Sequence, residues 1–383
     1  MKILNCNFEM FNPAVVSSNN CCVIDESGKS YVDFEAGVWC ASLGHNNKQI
    51  NEAIINQMNN ICHTGYRYST KIVDEAADKV LNLLGFIDGK CVFLSSGSEA
   101  VEFSVQAAKK IMGKPYFLCL NNYFLSSYGI SATRDKRDWI SLDLSEYNGS
   151  ACKLLENVLF DEIGAFVFEP GNASGTAKLP PKDLIKAIEN KIRENNGIIV
   201  VDEVTAGIGR TGKWFGFEHY DMCPDVVVLG KGIGNGYPVS VIALSKETAD
   251  LVEKSGFRYA QSHQNDPLGC AVVKEVISVI ERDNYIQRSA EMGLTLEHKL
   301  KSLLKKHKCV KEVRGVGLMF AVEFVQSENF SLEKIHKELF NSGYITGVNV
   351  LANLLRFYPP LTIETEQIEG MVNALDTILL KYN

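Results

Sequence analysis

The chain has 383 residues, 46% of them hydrophobic, with 39 Lys and Arg against 46 Asp and Glu for a net charge of −7. That length allows a large core and sets an expectation of two domains. With no basic tract, nucleic acid is excluded as the main partner, because phosphate-backbone binding needs clustered Lys and Arg.

The opening MKILNCNFEMFNP has one lysine and a two-residue apolar stretch, which suits neither a secretory signal nor a transit peptide. No apolar run approaches the roughly 18 to 20 residues that span a bilayer. The 11 cysteines are scattered and form no C-x-x-C, which reads as unpaired thiols in a reducing cytoplasm. The seven histidines form no H-E-x-x-H and no pair at helical spacing, so no protein-bound metal is expected.

In chain order, CCVIDESGKSYVDF (21–34) comes first, a strand-like run with a Glu-Ser-Gly turn. From about 90 to 245, short apolar runs alternate with amphipathic stretches: CVFL (91–94), PYFLCL (115–120), AFVFE (165–169), IIVVDE (198–203), VVVLG (226–230) and PVSVIAL (238–244). Runs rich in Val, Ile and Phe, separated by helices, indicate a mostly parallel sheet in an α/β layer fold. Helices are expected over 98–112, 181–195 and 265–282. Beyond them come a helix near 285–306, a strand over 313–324 with a glycine kink, a helix at 331–342, a strand at 354–359 and a helix at 364–381. Local and partly antiparallel elements of this kind suggest a smaller α+β domain. The expected division is an N-terminal segment (1–44), a large domain (45–282) and a small C-terminal domain (283–383).

Ligands of open α/β sheets sit beyond the carboxyl ends of the strands, and the unusual residues cluster there. After CVFL comes SSGSEA (95–100), in which Ser96-Gly97-Ser98-Glu99 has capping-box spacing. Its free N–H groups suit a phosphate, although a plain helix cap has the same pattern. After IIVV comes Asp202-Glu203, which alone fits a metal, a cation or the start of a loop. GIGRTGK (207–213) matches the phosphate-loop spacing, but Trp-Phe-Gly-Phe follows it and begins no helix, so nucleotide is not expected. Last, VLGKGIGNGYP (228–238) sets Lys231 among four glycines between two apolar strands. Burial there lowers a lysine's pKa and frees its amine as a nucleophile, while glycine admits a flat cofactor.

Together with YVDFEAGVWCASLGH (31–45), SHQNDPLGCA (262–271), VRGVGL (313–318) and LRFYPPLTI (355–363), these motifs resemble, in order and over nearly the whole chain, the class III aminotransferases. These are pyridoxal-phosphate (PLP) enzymes of fold type I. The resemblance implies a mostly parallel central sheet in a large domain, a smaller α+β domain from the C-terminal and N-terminal segments, and a homodimer with active sites at the subunit interface. It implies that Lys231 bonds to the cofactor aldehyde as a Schiff base and shuttles the substrate proton. Asp202 would pair with the ring nitrogen, and Ser96, Gly97 and Ser98 would hold the phosphate. Tyr123 and Val204 would flank the ring, Thr205 would reach its phenolic oxygen, and Glu169 would complete the cofactor site. Ser262 would reach the phosphate of the partner subunit. Arg356 would fork onto a substrate carboxylate, and Trp39 stands at the substrate entrance, although core packing explains it equally well.

Two departures bear on the substrate. YFLSSYGISA (123–132) carries Ser126 where ornithine- and acetylornithine-type enzymes have the arginine that grips the far carboxylate of 2-oxoglutarate; Arg134 and Arg137 are the nearby substitutes. EPGNASG (169–175) carries Ser174 in place of a glutamate that covers the substrate-binding arginine when an amine lacks a nearby carboxylate. An uncovered Arg356 is therefore expected, favouring α-amino acids over simple ω-amines. The reading is an aminotransferase acting between a carboxylate-bearing amine and a 2-oxo acid. An aminomutase or amino-acid racemase of the same family is the alternative, since neither needs a second acceptor. Intact Lys231, Asp202 and Arg356 argue against a non-catalytic role.

Overall fold

The six apolar runs between residues 90 and 245 become strands of one seven-stranded sheet. The computed structural model of the chain describes residues 4, 6, 13–171, 175–327 and 330–382. Ahead of that sheet, β1 (Val15–Asn19), β2 (Cys22–Asp25) and β3 (Ser30–Asp33) form an antiparallel meander. The large sheet contains β4 (Lys90–Leu94), β5 (Tyr116–Leu120), β6 (Trp139–Leu142), β7 (Ile163–Phe168), β8 (Ile198–Asp202), β9 (Val226–Leu229) and β10 (Ser240–Leu244). Their spatial order is β4-β10-β9-β8-β7-β5-β6, with β5 to β9 paired in parallel and β10 antiparallel to both neighbours. Every residue of β7, β8, β9 and β10 is buried, which is why these strands read as unbroken apolar runs.

Helices cover both faces. Gly97–Met112 lies against β7 to β10, and Pro267–Arg282 packs on the helices Lys48–Asn60 and Lys71–Leu84. The last of these stops where Gly85 turns left-handed (φ 70°) and the N–H of Phe86 returns to the carbonyl of Leu81.

The C-terminal part builds a second sheet from β11 (Val310–Val316), β12 (Met319–Phe324), β14 (Gly347–Asn349) and β15 (Leu354–Phe357), ordered β11-β12-β15-β14 and antiparallel throughout. The single kinked strand expected over 313–324 is thus a tight hairpin. Gly317 (φ 56°) makes its turn, and a Cβ there would lie 2.3 Å from the Thr211 backbone. The tip docks on the 210–212 loop, with the N–H of Leu318 donating to the Arg210 carbonyl at 2.9 Å. Helices Tyr285–Lys306, Leu332–Asn341 and Thr365–Leu379 enclose the core of this part, including Leu296, Phe320 and Leu375. The short β13 (Tyr344–Ile345) pairs in parallel with β3, which ties the N-terminal meander to the C-terminal elements.

Immediately after β3 the chain enters an unusual conformation. Ala36, Gly37, Val38 and Trp39 all have positive φ (46°, 58°, 56° and 68°), one turn of left-handed helix with only one glycine. L-residues resist this conformation by roughly 1–2 kcal/mol each, so something must hold it. Asp33 does: its carboxylate accepts from the N–H groups of Glu35 and Gly37 at 2.8 Å each and contacts His45 Nε2 at 2.8 Å. Replacing it orphans both backbone donors. Asp33→Ala is expected to lose about 2–4 kcal/mol of unfolding free energy in denaturant titration; a loss within the roughly 0.5 kcal/mol typical of a surface change would contradict this role.

Candidate active site

The parallel strands deliver their motifs to one edge of the large sheet: residues 95–98 after β4, Tyr123 after β5, Glu169 after β7, Asp202–Thr205 at the end of β8 and Lys231 after β9. Three of these ends close around Val204. A Cβ on Gly97 would lie 2.7 Å from Val204 Cγ1, and one on Gly230 would lie 3.1 Å from the same methyl and 3.3 Å from Gly97 Cα. Glycine at 97 and 230 is what allows this approach.

Lys231 takes a left-handed conformation (φ 45°) at the start of a 3₁₀ turn, Lys231–Gly234. Its Nζ donates to Thr205 Oγ1 at 2.8 Å and lies 4.3 Å from the centroid of the Trp39 indole. Burial pushes its pKa below the usual lysine value; the negative charges of Asp202 and Glu169 oppose that shift, and Arg356 adds to it. Asp202 is 4% exposed. Its Oδ1 accepts from the N–H of Val204 at 3.0 Å, and among the described residues its other oxygen has no hydrogen-bond partner. Burial pushes its pKa up to about 7 despite that bond and the Lys231 charge. The adjacent Glu203 points elsewhere, accepting from the N–H groups of Gly216 and Phe217 at 2.8 and 2.7 Å. It anchors the short helical turn Gly216–Tyr220, while the GIGRTGK segment itself runs as turns and starts no helix.

Ser96 caps the helix Gly97–Met112, its hydroxyl accepting from the N–H of Glu99 at 3.2 Å. Among the described residues nothing accepts from the N–H groups of Gly97 and Ser98. The Ser98 hydroxyl accepts from the N–H of Ser127 at 3.0 Å. The Ser126 hydroxyl is directed at the carbonyls of Ser98 (3.1 Å) and Tyr128 (2.9 Å), so Ser126 ties the 123–128 loop to this helix start. Tyr123 is buried, and among the described residues its hydroxyl has no hydrogen-bond partner. Both line a cavity of about 700 Å³ whose wall also carries Arg134, Lys178 and Arg314. Arg137 instead binds Asp135 through Nε and Nη2, both at 3.0 Å, on the surface.

Arg356 on β15 lies with its Cζ 4.8 Å from the Trp39 centroid, so Lys231 and Arg356 share one indole. The expectation of an uncovered Arg356 is wrong. Glu35 covers it, with Oε1 accepting from Nε at 2.9 Å and Oε2 from Nη2 at 2.7 Å. Burial works against the guanidinium charge, but the Glu35 hydrogen bonds and charge leave its pKa raised. Trp39 is 8% exposed, packs on Tyr358 at 5.2 Å between ring centroids, and faces both cations. Ser262 lies in an exposed turn and Glu169 is buried, while Ser174 falls outside the described residues. Sequence reasoning missed Glu35 and Asp33. Both stand in the quoted YVDFEAGVW segment, but only the fold brings Glu35 to a partner 321 residues away.

The Aminotransferase class-III family profile matches residues 5–136 and 129–379. The chain is 32% identical over 371 residues to an acetylornithine aminotransferase of Caldanaerobacter subterraneus subsp. tengcongensis, covering 93% of this chain and 92% of that one. It is 30% identical over 371 residues to that of Methanocaldococcus jannaschii, covering 93% and 90%. An ornithine aminotransferase structure from Plasmodium yoelii superimposes with a TM-score of 0.86 at 25% identity, covering 99% of this chain and 96% of that one. The chain belongs to the class III aminotransferases. It is a PLP-dependent transaminase of fold type I, and these matches do not favour the aminomutase or racemase alternative.

The residues fit such a cofactor. Two free N–H groups open a 16-residue helix where a side chain at 97 would not fit, which is a cradle for a phosphate. A buried carboxylate, Asp202, with one oxygen unused among the described residues could hold a cationic nitrogen. Without it, Asp202 keeps its proton in the folded state from pH 3.8 to about 7, where the unfolded chain has released it, so its contribution to stability declines as pH rises through that window. The melting temperature of the cofactor-free protein should therefore fall more steeply between pH 4 and 7 for wild type than for Asp202→Asn. Parallel curves would contradict the assignment of a buried, titrating Asp202.

Proposed function

We propose that the protein transfers an amino group from a carboxylate-bearing amine of the ornithine or acetylornithine kind to a 2-oxo acid, with Lys231 as cofactor-bonding lysine and proton carrier. The observation that carries this reading is the shared indole: a buried amine and a guanidinium fork lie against one ring, where a single small substrate can touch both. The bound cofactor supplies an aldehyde that condenses with amines and a ring that draws electrons from the amine-bearing carbon. Lys231 Nζ, with its pKa lowered by burial, would take the proton from that carbon and deliver it to the carbon of the cofactor's aldehyde group, on the other side of the nitrogen. Asp202 keeps the ring nitrogen protonated, the N–H groups of Gly97 and Ser98 hold the phosphate, and Tyr123 and Val204 confine the ring. Thr205 offers its hydroxyl to the phenolic oxygen, and Glu169 adds buried negative charge beside Lys231.

The acceptor's far carboxylate is met by Arg134, a cation of the cavity next to Tyr123, while Arg137 is held by Asp135. The active unit is a homodimer in which Ser262 reaches the partner's phosphate. Its turn is exposed and meets the loop bearing exposed Ile61, Tyr66 and Tyr68 through the mutually tilted rings of His63 and His263, 4.7 Å between centroids, and a surface of that kind calls for a cover. All 11 cysteines are free thiols, which suits the cytoplasm.

A panel of donors (acetylornithine, ornithine, 4-aminobutyrate, alanine) against 2-oxoglutarate and pyruvate tests the reading. Turnover of a carboxylate-bearing donor is expected, and Arg134→Ala should raise KM for 2-oxoglutarate roughly tenfold or more with pyruvate little changed. Cofactor-loaded protein that consumes none of these donors, or that racemises or rearranges one without an acceptor, would overturn it.

A further inference from the structure

Glu35 holds Arg356 in the geometry a substrate carboxylate would need, two parallel N–H···O bonds along the Nε–Nη2 edge. The two side chains are 13% and 15% exposed, so little water is available to loosen the pair. The opposite side of the guanidinium is closed: a Cβ on Gly175 would lie 2.1 Å from Nη1, so backbone packs there. A substrate carboxylate therefore gains the fork only when Glu35 releases it.

The backbone that bears Glu35 is held independently of Arg356. Asp33 pins the N–H groups of Glu35 and Gly37, and the left-handed turn behind them is fixed by the same carboxylate. Beyond Arg356, the Glu35 carboxylate has one weaker contact, from Trp39 Nε1 at 3.4 Å. The space the pair occupies exists because residue 347 is glycine: a Cβ there would lie 2.3 Å from Glu35 Oε1 and 2.5 Å from Arg356 Nε. A side chain anchored at its root and held at its tip by one ion pair and one long hydrogen bond is built as an exchangeable counter-ion.

We propose that Glu35 is the specificity-determining residue of the carboxylate subsite, neutralising Arg356 when the bound amine carries no carboxylate there and yielding the fork when it does. The site then accepts two chemical classes in turn, an amine presenting an uncharged chain to the fork and an amino or 2-oxo acid presenting a carboxylate. This rests on the reading of Arg356 as the substrate-carboxylate arginine. The carboxylate comes from the N-terminal segment, so the serine at 174 does not leave the arginine bare.

The test compares wild type, Glu35→Gln, Glu35→Asp and Arg356→Ala, each loaded with cofactor as judged by its visible absorbance. Steady-state kinetics would use alanine and n-butylamine as donors, and calorimetry would follow binding of propionate, which cannot react. Glu35→Gln should tighten propionate binding and lower KM for alanine by at least about tenfold with kcat little changed, and raise KM for n-butylamine by a similar factor. Glu35→Asp, with its charge kept and its reach shortened, should fall between Glu35→Gln and wild type. Unchanged propionate affinity and an unchanged KM ratio in both Glu35 variants, with binding lost in Arg356→Ala, would overturn the role of Glu35 alone. Propionate binding that survives Arg356→Ala would overturn the reading of Arg356 on which it rests.

Discussion

A lysine amine that has to react near neutral pH must be kept from water, and the rest of this site follows from that constraint. Lys231 leaves the end of β9 in a left-handed conformation, which turns its side chain into the space between the sheet and the N-terminal segment. Thr205 Oγ1 accepts its hydrogen bond and the Trp39 face shields it. Trp39 stands there because four residues run left-handed, and Asp33 holds that turn by accepting from the N–H of Gly37 within it and of Glu35 just before it. A strained loop, a buried carboxylate and an aromatic face thus all serve one desolvated amine.

The same burial governs the other charges. Asp202 sits deep enough for its pKa to rise to about 7 when only a backbone N–H and the Lys231 charge oppose desolvation, so a cationic partner has a large stabilising effect to supply. Arg356 meets that need from within the chain, through Glu35. An unpaired guanidinium in that position would be costly, and a permanently paired one would be useless to a substrate. A counter-ion on a fixed backbone with a mobile tip resolves the conflict. In the proposed reading chemistry and recognition are then separable: Lys231 and Asp202 act on the amine-bearing carbon, while Glu35 and Arg356 select what that carbon carries.

Much of this was legible in the sequence, for physical reasons that can be named. Strands β7 to β10 are buried on both faces, so they appear as apolar runs, and the loops at their ends carry the motifs. The four-residue edge strand β6 is too short to give a pattern, and the helix Lys48–Asn60 buries fully only Ile50. Helix Lys71–Leu84 carries an apolar stripe through Val73, Ala76 and Val80 that could have located it. Gly317 reads equally as a kink or a turn until the 210–212 loop is seen against it. Glu35 was out of reach for a different reason. A single acidic residue gives no sign of its partner when that partner lies 321 positions away, and the absence of a glutamate at 174 pointed to the wrong conclusion.

The central claim is that Lys231 is the amine that bonds the cofactor. Borohydride reduction of the protein loaded with pyridoxal phosphate, followed by proteolysis and mass spectrometry of the labelled peptide, tests it directly. The account predicts a single reduced adduct on Lys231, lost in Lys231→Ala without loss of fold. An adduct on another lysine, or undiminished labelling of Lys231→Ala, would contradict it.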